Sequence, residues 1–334
     1  MPEPRGRPPR RQVYARLDAQ VAELWERLGG LPHPLEATDI WRHIWIEEAH
    51  HSTAIEGNTL VLKQVEILLA EGRAVGDKEL REYMEVKGYA DAADWVYREA
   101  AAPGPDRKEL ITLTEIRSIH RLAMAPVWGV VPHPDATERE GPGSFRQHDI
   151  NPFSEAMTPP SWVYVEAEIA EWINAVNDLR ARTPRFPEEL AEIHCRFEQI
   201  HPFLDGNGRT GRLVLNLMLV RLGYAPAIIY KRDRAKYLKA LQRADRGESG
   251  PLGEFLTRAI LDNLHKFVFP AIAGPARIVP IAALASEAIT ANALRAAAIR
   301  GRLQAVRGSD GLWRSSKNWV DEYLAARYER VERS

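Results

Sequence analysis

The 334-residue chain contains one cysteine, Cys195, so no disulfide can form within it and nothing points to an oxidising compartment. No apolar run approaches the roughly 18 residues that a membrane span requires, and no membrane association is expected. The first residues hold no apolar core of the kind a secretory leader needs, so a cytoplasmic location is the expectation. Charge of one sign is missing as well. The net charge is −1, from 45 Lys and Arg against 46 Asp and Glu, and the bulk balance selects no class of partner. With 45% hydrophobic and 27% charged residues, the composition is that of a globular protein long enough to bury more than one core.

Most of the chain is patterned for helix, and the expected fold class is mostly α. Residues 1–12 read as a basic tail, with Arg5, Arg7, Arg10 and Arg11 set among prolines. From there, Val13, Leu17, Val21 and Leu24 make a helical stripe. A second helix is expected over residues 36–55, closed by Gly57. Others are expected at 62–71, 78–100 and 114–124, so that residues 13–110 form an N-terminal helical region. Residues 125–160 are rich in proline and glycine and read as loop, with a short hairpin near 143–150. Helices return at 163–179, 187–200, 209–222, 233–244 and 251–268, completing a central domain over 111–270. Residues 271–280 read as a linker. Beyond them, 281–287 and 291–301 read as helices, 303–313 as strand–turn–strand, and 315–331 as a last helix, within a small unit over 281–334.

The stretch from His201 to Arg212 carries the chemistry. Gly206 and Gly208 flank Asn207, and positive-φ turns at glycines would aim successive N–H groups into one concavity. A helix apolar almost all round follows, so its positive end faces the same place. Arg209 and Arg212 share a face of its first turn. Cations there oppose the dipole, at a cost of roughly 0.3–1 kcal/mol each when exposed. They make sense if a polyphosphate neutralises them, and the guanidinium fork suits phosphate oxygens. His201 can accept a proton near neutral pH. Asp205 offers a hard oxygen suited to Mg²⁺ beside phosphates. Pro202 ends the preceding helix, and Phe203 is expected to anchor the loop in the core. Singly, each has a plain alternative: a structural histidine, a turn, a surface arginine. The combination at fixed spacing singles the loop out.

This stretch resembles the Fic family signature H-P-F-x-D/E-G-N-G-R-x-x-R at every defined position, and the resemblance extends over about residues 37–270. It implies a helical Fic core with a β-hairpin flap, and transfer of AMP from ATP to a Ser, Thr or Tyr hydroxyl of a target protein, the chain itself included. His201 would deprotonate the hydroxyl, Asp205 would hold Mg²⁺ or Mn²⁺, and Gly206, Asn207 and Gly208 would cradle the phosphates. Arg209 and Arg212 would hold the β- and γ-phosphates. The Doc branch, which phosphorylates its target, carries lysine where this chain has Gly208. Residues Gly143, Ser144, Phe145, Arg146, Gln147, His148, Asp149 and Ile150 match the flap, whose edge could register a target segment by strand addition; a mobile loop without target contacts is the alternative.

Ser52, Glu56 and Gly57 fit the family's inhibitory motif S/T-x-x-x-E-G/N, on a helix at about 36–57. The resemblance implies that Glu56 pairs with Arg212 and occupies the arginine meant for the γ-phosphate. A surface acid at a helix end is the alternative. Relatives with this glutamate also remove AMP, so de-AMPylation through Glu56 is the enzymatic rival. The final unit resembles excisionase-type winged helix–turn–helix modules, with Leu294 and residues 296–298 buried. Arg295, Arg300, Arg302, Arg307, Arg314 and Lys317 would face DNA, or the module would serve protein contact or dimerisation. A homodimer stays open. The rival from another class is a DNA-binding regulator with a nucleotide-sensing core.

Overall fold

A computed structural model describes residues 8–34, 37–101, 109–152, 157–272, 278–308 and 311–331. The chain divides into two compact units. One comprises residues 1–14 and 33–260; the other comprises 15–32 and 261–334. The division therefore does not follow the expected linear order, because residues 15–32 and 261–270 group with the C-terminal part. No described helix is long and apolar enough to cross a membrane.

The larger unit is helical. Helix α1 (Arg10–Leu28) contributes its first turn, and it starts inside the stretch expected to be a tail. Arg10 lies 3.7 Å from Glu188 and 3.9 Å from Glu254, so carboxylates of this unit hold its charge in place. Helices α2 (Thr38–Ile55), α3 (Leu62–Glu71), α4 (Leu80–Ala101) and α5 (Leu113–Trp128) follow. A capping box starts α5: Thr112 Oγ1 accepts from the Glu115 amide at 3.2 Å, and Glu115 Oε2 accepts from the Thr112 amide at 2.9 Å. Then come α6 (Val165–Asp178), α7 (Phe186–Ile200), α8 (Asn207–Arg221), α9 (Arg234–Asp245) and α10 (Gly250–Asn263). Helix α4 packs on α2, α3, α5 and α8. Helix α8 is buried from Arg209 to Val220, as its all-round apolar pattern demands.

The expected hairpin at residues 143–150 does not form; these residues contain no strand. Their hydrogen-bonding groups are committed elsewhere. The Arg146 amide donates to Pro202 O at 3.0 Å, and the Gln147 amide donates to Glu140 Oε1 at 2.6 Å. The buried Arg146 guanidinium donates to the carbonyls of His201 (2.9 Å), His148 (3.1 Å), Pro160 (2.5 Å) and Ile200 (3.4 Å). The amides of Arg146 and Gln147 are therefore not available to a second strand.

The smaller unit contains the rest of α1. Helix α10 continues through a π turn (Leu264–Val268) into α11 (Phe269–Ile272). A three-stranded antiparallel sheet has the order β1 (Val279–Pro280), β3 (Trp313–Ser315), β2 (Val306–Arg307). Residues 279 and 280, expected to be linker, are thus a strand that pairs with Ser315 and Arg314. The helix expected at 281–287 is shortened to a 3-10 turn (Ile281–Leu284). After it, Ala285 is extended and Ser286 bridges to Ile289, so the backbone groups bond across a turn instead of up a helix. Helix α12 (Ala291–Ile299) is capped by the Thr290 side chain and stopped by Gly301 at φ 65°. Its Leu294, Ala297 and Ala298 share a core with Ile281, Ile289, Leu303 and Val320. Helix α13 (Lys317–Val331) closes the unit.

Arg314, expected among the DNA-facing cations, is buried. Its guanidinium forks onto Glu23, with Nη2 to Oε2 at 2.6 Å and Nε to Oε1 at 3.1 Å. Removing one partner strands the other charge out of water, whereas removing both does not. Arg314→Met or Glu23→Met alone is expected to lower stability by about 3–5 kcal/mol in urea unfolding, and the double variant to lose less than the two singles together. Additive losses would contradict the pairing.

Candidate active site

Helix α7 ends at His201, which takes a left-handed backbone (φ 48°, ψ 60°) and turns the chain into the loop. Phe203 is fully buried, as expected of an anchor. The His120 ring from α5 stacks on it with centroids 3.7 Å apart and planes at 1°. Asn207 ties the loop to itself: its Oδ1 accepts from the Phe203 amide at 2.8 Å, and its Nδ2 donates to Phe203 O at 2.7 Å. The Asn207 side chain therefore closes the turn, and only its backbone faces the concavity.

The two glycines do different work. Gly206 alone has positive φ (77°), as the residue before α8. Gly208 lies within the helix, and its requirement is space. A Cβ there would come within 2.5 Å of Glu56 Oε1 and 3.1 Å of Arg212 Nη1. No side chain caps the start of α8. The positive end of a buried helix with no N-cap side chain is a ready anion site.

Two nearly buried guanidinium groups stand over that end. Arg209, 4% exposed, donates to Asp205 Oδ1 at 3.1 Å, while its Nε and Nη1 have no hydrogen-bond partner. Arg81 Nη2 lies 3.8 Å from Asp205 Oδ2, and Glu85 Oε1 lies 3.9 Å from Arg209 Nη1. Burial pushes the Asp205 carboxyl up, but Arg209 and the Gly206 amide outweigh it and hold the group ionised. Among the described residues, no group of three or more His, Cys, Asp or Glu is placed to hold a metal ion. A lone ionised carboxylate fits Mg²⁺ only when phosphate oxygens complete the shell.

Arg212, also 4% exposed, is engaged by α2. Its Nε donates to Ser52 Oγ at 2.7 Å, and its Nη2 donates to Ser52 O at 3.1 Å and to Glu56 Oε1 at 2.6 Å. Gly57, at φ 110°, turns the chain away just after Glu56. Burial pushes the Glu56 carboxyl up, yet Arg212, with Arg209 behind it, holds it below the usual carboxylate range. Ser52 and Glu56 are thus brought to Arg212, which lies 160 and 156 residues further along the chain.

His201 Nδ1 lies 3.2 Å from Glu198 O. A carbonyl can only accept, so Nδ1 carries the proton and Nε2 the lone pair. Burial lowers the ring's pKa from 6.5 to about 4, against the opposing pull of that carbonyl. The imidazole is therefore neutral at physiological pH and has a defined basic nitrogen.

Of the eight residues matched to the flap, Phe145 and Arg146 are buried and cannot present themselves to a target. Gln147 and Asp149 are exposed. Arg146 instead fastens this loop to His201 and Pro202. Sequence reasoning missed His120. Its Nδ1 accepts from the Gly143 amide at 2.7 Å and its Nε2 donates to Asp205 O at 2.9 Å, joining the two loops. A polar residue inside the apolar stripe Ile116, Ile119, Ala123 of α5 was the available signal.

Residues 110–219 match the Fic/DOC family model. The matched segment includes α5, the loop at 143–150 and the whole of His201–Arg212, while α2 lies outside it. The protein adenylyltransferase Fic of Culex quinquefasciatus is 32% identical over 216 residues, covering 64% of this chain and 40% of that protein. That of Nematostella vectensis is 32% identical over 221 residues, covering 65% and 47%. Protein adenylyltransferase fic-1 of Caenorhabditis elegans is 28% identical over 248 residues, covering 74% and 46%. The chain thus spans less than half the length of these curated relatives. A Fic-domain signalling protein from Bacteroides thetaiotaomicron superposes with TM-score 0.60 at 25% identity, covering 77% of this chain and 96% of that one. Fic-1 from C. elegans superposes with TM-score 0.59 at 27% identity, covering 75% and 71%. These likenesses agree with the mostly helical fold.

Burial lowers the pKa of His120 to about 4 as well. Because both rings titrate below 6.5, protonation favours the unfolded chain. Their contribution to stability is complete above about 6.5 and is lost as pH falls through about 4. ¹⁵N NMR at about pH 6 should show both rings neutral, with the proton on Nδ1 of His201 and Nε2 of His120. A His201 ring half-protonated near 6.5 would contradict the burial argument.

Proposed function

We propose that the protein transfers AMP from ATP to a Ser, Thr or Tyr hydroxyl of a protein, and that Glu56 restrains this activity. The observation that carries the reading is the start of α8 without an N-cap side chain, together with a neutral His201 and the Arg209 nitrogens that make no hydrogen bond. The triphosphate lies against the first amides of α8, with Arg209 and Arg212 on its β- and γ-phosphates. The target hydroxyl gives its proton to His201 Nε2 as its oxygen attacks the α-phosphorus. The bond from that phosphorus to the bridging oxygen breaks, and pyrophosphate leaves. Asp205 would hold Mg²⁺ or Mn²⁺ together with the phosphates, and the ion would neutralise charge on the departing pyrophosphate.

Arg212 cannot serve Glu56 and a γ-phosphate in full at once. With Glu56 in place, ATP settles without that anchor and its α-phosphorus is misaligned for attack. Removal of AMP is the second reading, favoured by the ionised state and 39% side-chain exposure of Glu56, which would let it orient a water. Release of AMP from a modified protein in the absence of ATP would support it.

For the C-terminal unit we infer a winged helix–turn–helix, from α12, the β1-β3-β2 order and α13. Arg295, Arg300, Arg302, Arg307 and Lys317 are exposed and would contact DNA phosphates; Arg314 is excluded by Glu23. In the full chain, Arg300→Ala/Arg302→Ala should weaken duplex binding and flatten its salt dependence. Retention that is insensitive to salt would favour protein contact.

Mass spectrometry with ATP and Mg²⁺ tests the main reading. Glu56→Gly should gain one AMP on a large fraction of chains, wild type on few, and Glu56→Gly/His201→Ala on none. A labelled His201→Ala double variant would exclude His201 as the base, and an unlabelled Glu56→Gly would remove the brake.

A further inference from the structure

The contact between Glu56 and Arg212 depends on how α2 is set against α8. Glu48 lies on the same face of α2 as Ser52 and Glu56, in steps of four residues. Arg212 and Asn216 likewise lie one turn apart on α8. The two rows meet in register: Ser52 and Glu56 bond Arg212, and Glu48 Oε1 accepts from Asn216 Nδ2 at 2.8 Å.

Glu48 is nearly fully buried, and both its oxygens are occupied. Tyr89 Oη donates to Oε1 at 2.6 Å, and Tyr97 Oη donates to Oε2. Both tyrosines lie on α4. Asn216 is held in turn, since its Oδ1 accepts from the Ala227 amide at 2.8 Å. One carboxylate in α2 therefore joins α4, α8 and the segment after α8. Burial pushes this carboxyl up, and the hydrogen bonds from Tyr89, Tyr97 and Asn216 oppose that. A carboxyl this far from water is satisfied in few positions; a shift of α2 by one residue would leave three donors and one acid unpaired. Apart from the Arg212 contacts, the C-terminal end of α2 is held by part-buried bonds. Arg234 Nε donates to Ile55 O at 2.7 Å, and Asn58 Nδ2 donates to Glu82 O at 2.9 Å and Glu85 Oε2 at 3.0 Å, all part-buried.

We propose that Glu48 is the positioning residue of the restraint: its bonds to Tyr89, Tyr97 and Asn216 fix the register of α2 that delivers Ser52 and Glu56 to Arg212. This rests on the reading of Glu56 as a brake. It assigns release to movement at the Ser52–Gly57 end, with α2 otherwise kept docked.

The test uses the full chain with ATP and Mg²⁺, with Glu56→Gly as reference. Glu48→Met should raise self-labelling by about tenfold over wild type, within the range of ordinary coupling between sites. In the Glu56→Gly background it should leave the labelling rate unchanged, because the restraint is already gone. A residue that merely supports the fold would lower labelling in that background. Glu48→Gln, which keeps hydrogen-bonding capacity, should stay restrained. Amide hydrogen exchange at residues 52–57 should quicken in Glu48→Met, with or without any transfer activity. If Glu56→Gly labels while Glu48→Met neither labels nor exchanges faster, the proposal is overturned. If Glu56→Gly itself fails to label, the functional reading falls, and faster exchange at 52–57 still supports the positioning role. Should Glu48→Met not fold, Tyr97→Phe removes one donor without a cavity and should give a smaller rise in the same two measurements; no rise in either overturns the proposal.

Discussion

A guanidinium taken out of water must find oxygen, and in this protein Arg212 is the group under that constraint. It sits in the second turn of a helix that is buried from Arg209 to Val220, so it cannot swing into solvent as a surface arginine would. Its charge also opposes the helix dipole. Only anions or polar oxygens brought to it can settle the account, and Ser52 and Glu56 are brought there across a separation of more than 150 residues. Much of the larger unit follows from this. Helix α2 must dock on α8, Gly208 must lack a side chain to leave room for Glu56, and α4 must supply the tyrosines behind them.

The loop from His201 to Arg212 was legible as a candidate site because the residues that build it are local. Between His201 and Arg212, the residues that turn the chain, cap it and carry charge are near neighbours, so spacing alone predicts an anion site. The partial errors there are instructive. Gly206 and Gly208 look alike in a row of letters, yet one serves a backbone angle and the other a volume. Asn207, expected to cradle phosphate, spends its side chain closing the turn on Phe203. The helices were legible too, because apolar periodicity directly reports which face is buried, as in Val13, Leu17, Val21 and Leu24 of α1.

What was missed depends on pairs far apart in sequence. Arg146 looked like an edge residue of a hairpin; its carbonyl partners at His201 and Ile200 are some 55 positions away. Arg314 looked like a cation for phosphate until Glu23, 291 positions earlier, claimed it. His120 is a single polar residue inside an apolar stripe, and Glu48 is a buried acid on a mixed face of α2; pattern alone shows the anomaly without the partner. The separation into units was hidden for a similar reason: α1 is one unbroken helix by every local criterion, yet its residues divide between two packing clusters.

His201 holds its ring at the cost of an awkward main chain. A residue with a Cβ in the left-handed region gives up roughly 1–2 kcal/mol that glycine would keep. The protein therefore accepts a strained backbone at His201, where backbone geometry alone would favour glycine. Glycine there would relieve the backbone strain and remove the ring, whereas alanine keeps the backbone penalty and removes the ring. Two variants that both lack the imidazole thus differ in backbone strain, and comparing them separates what the ring does from what the backbone angle does.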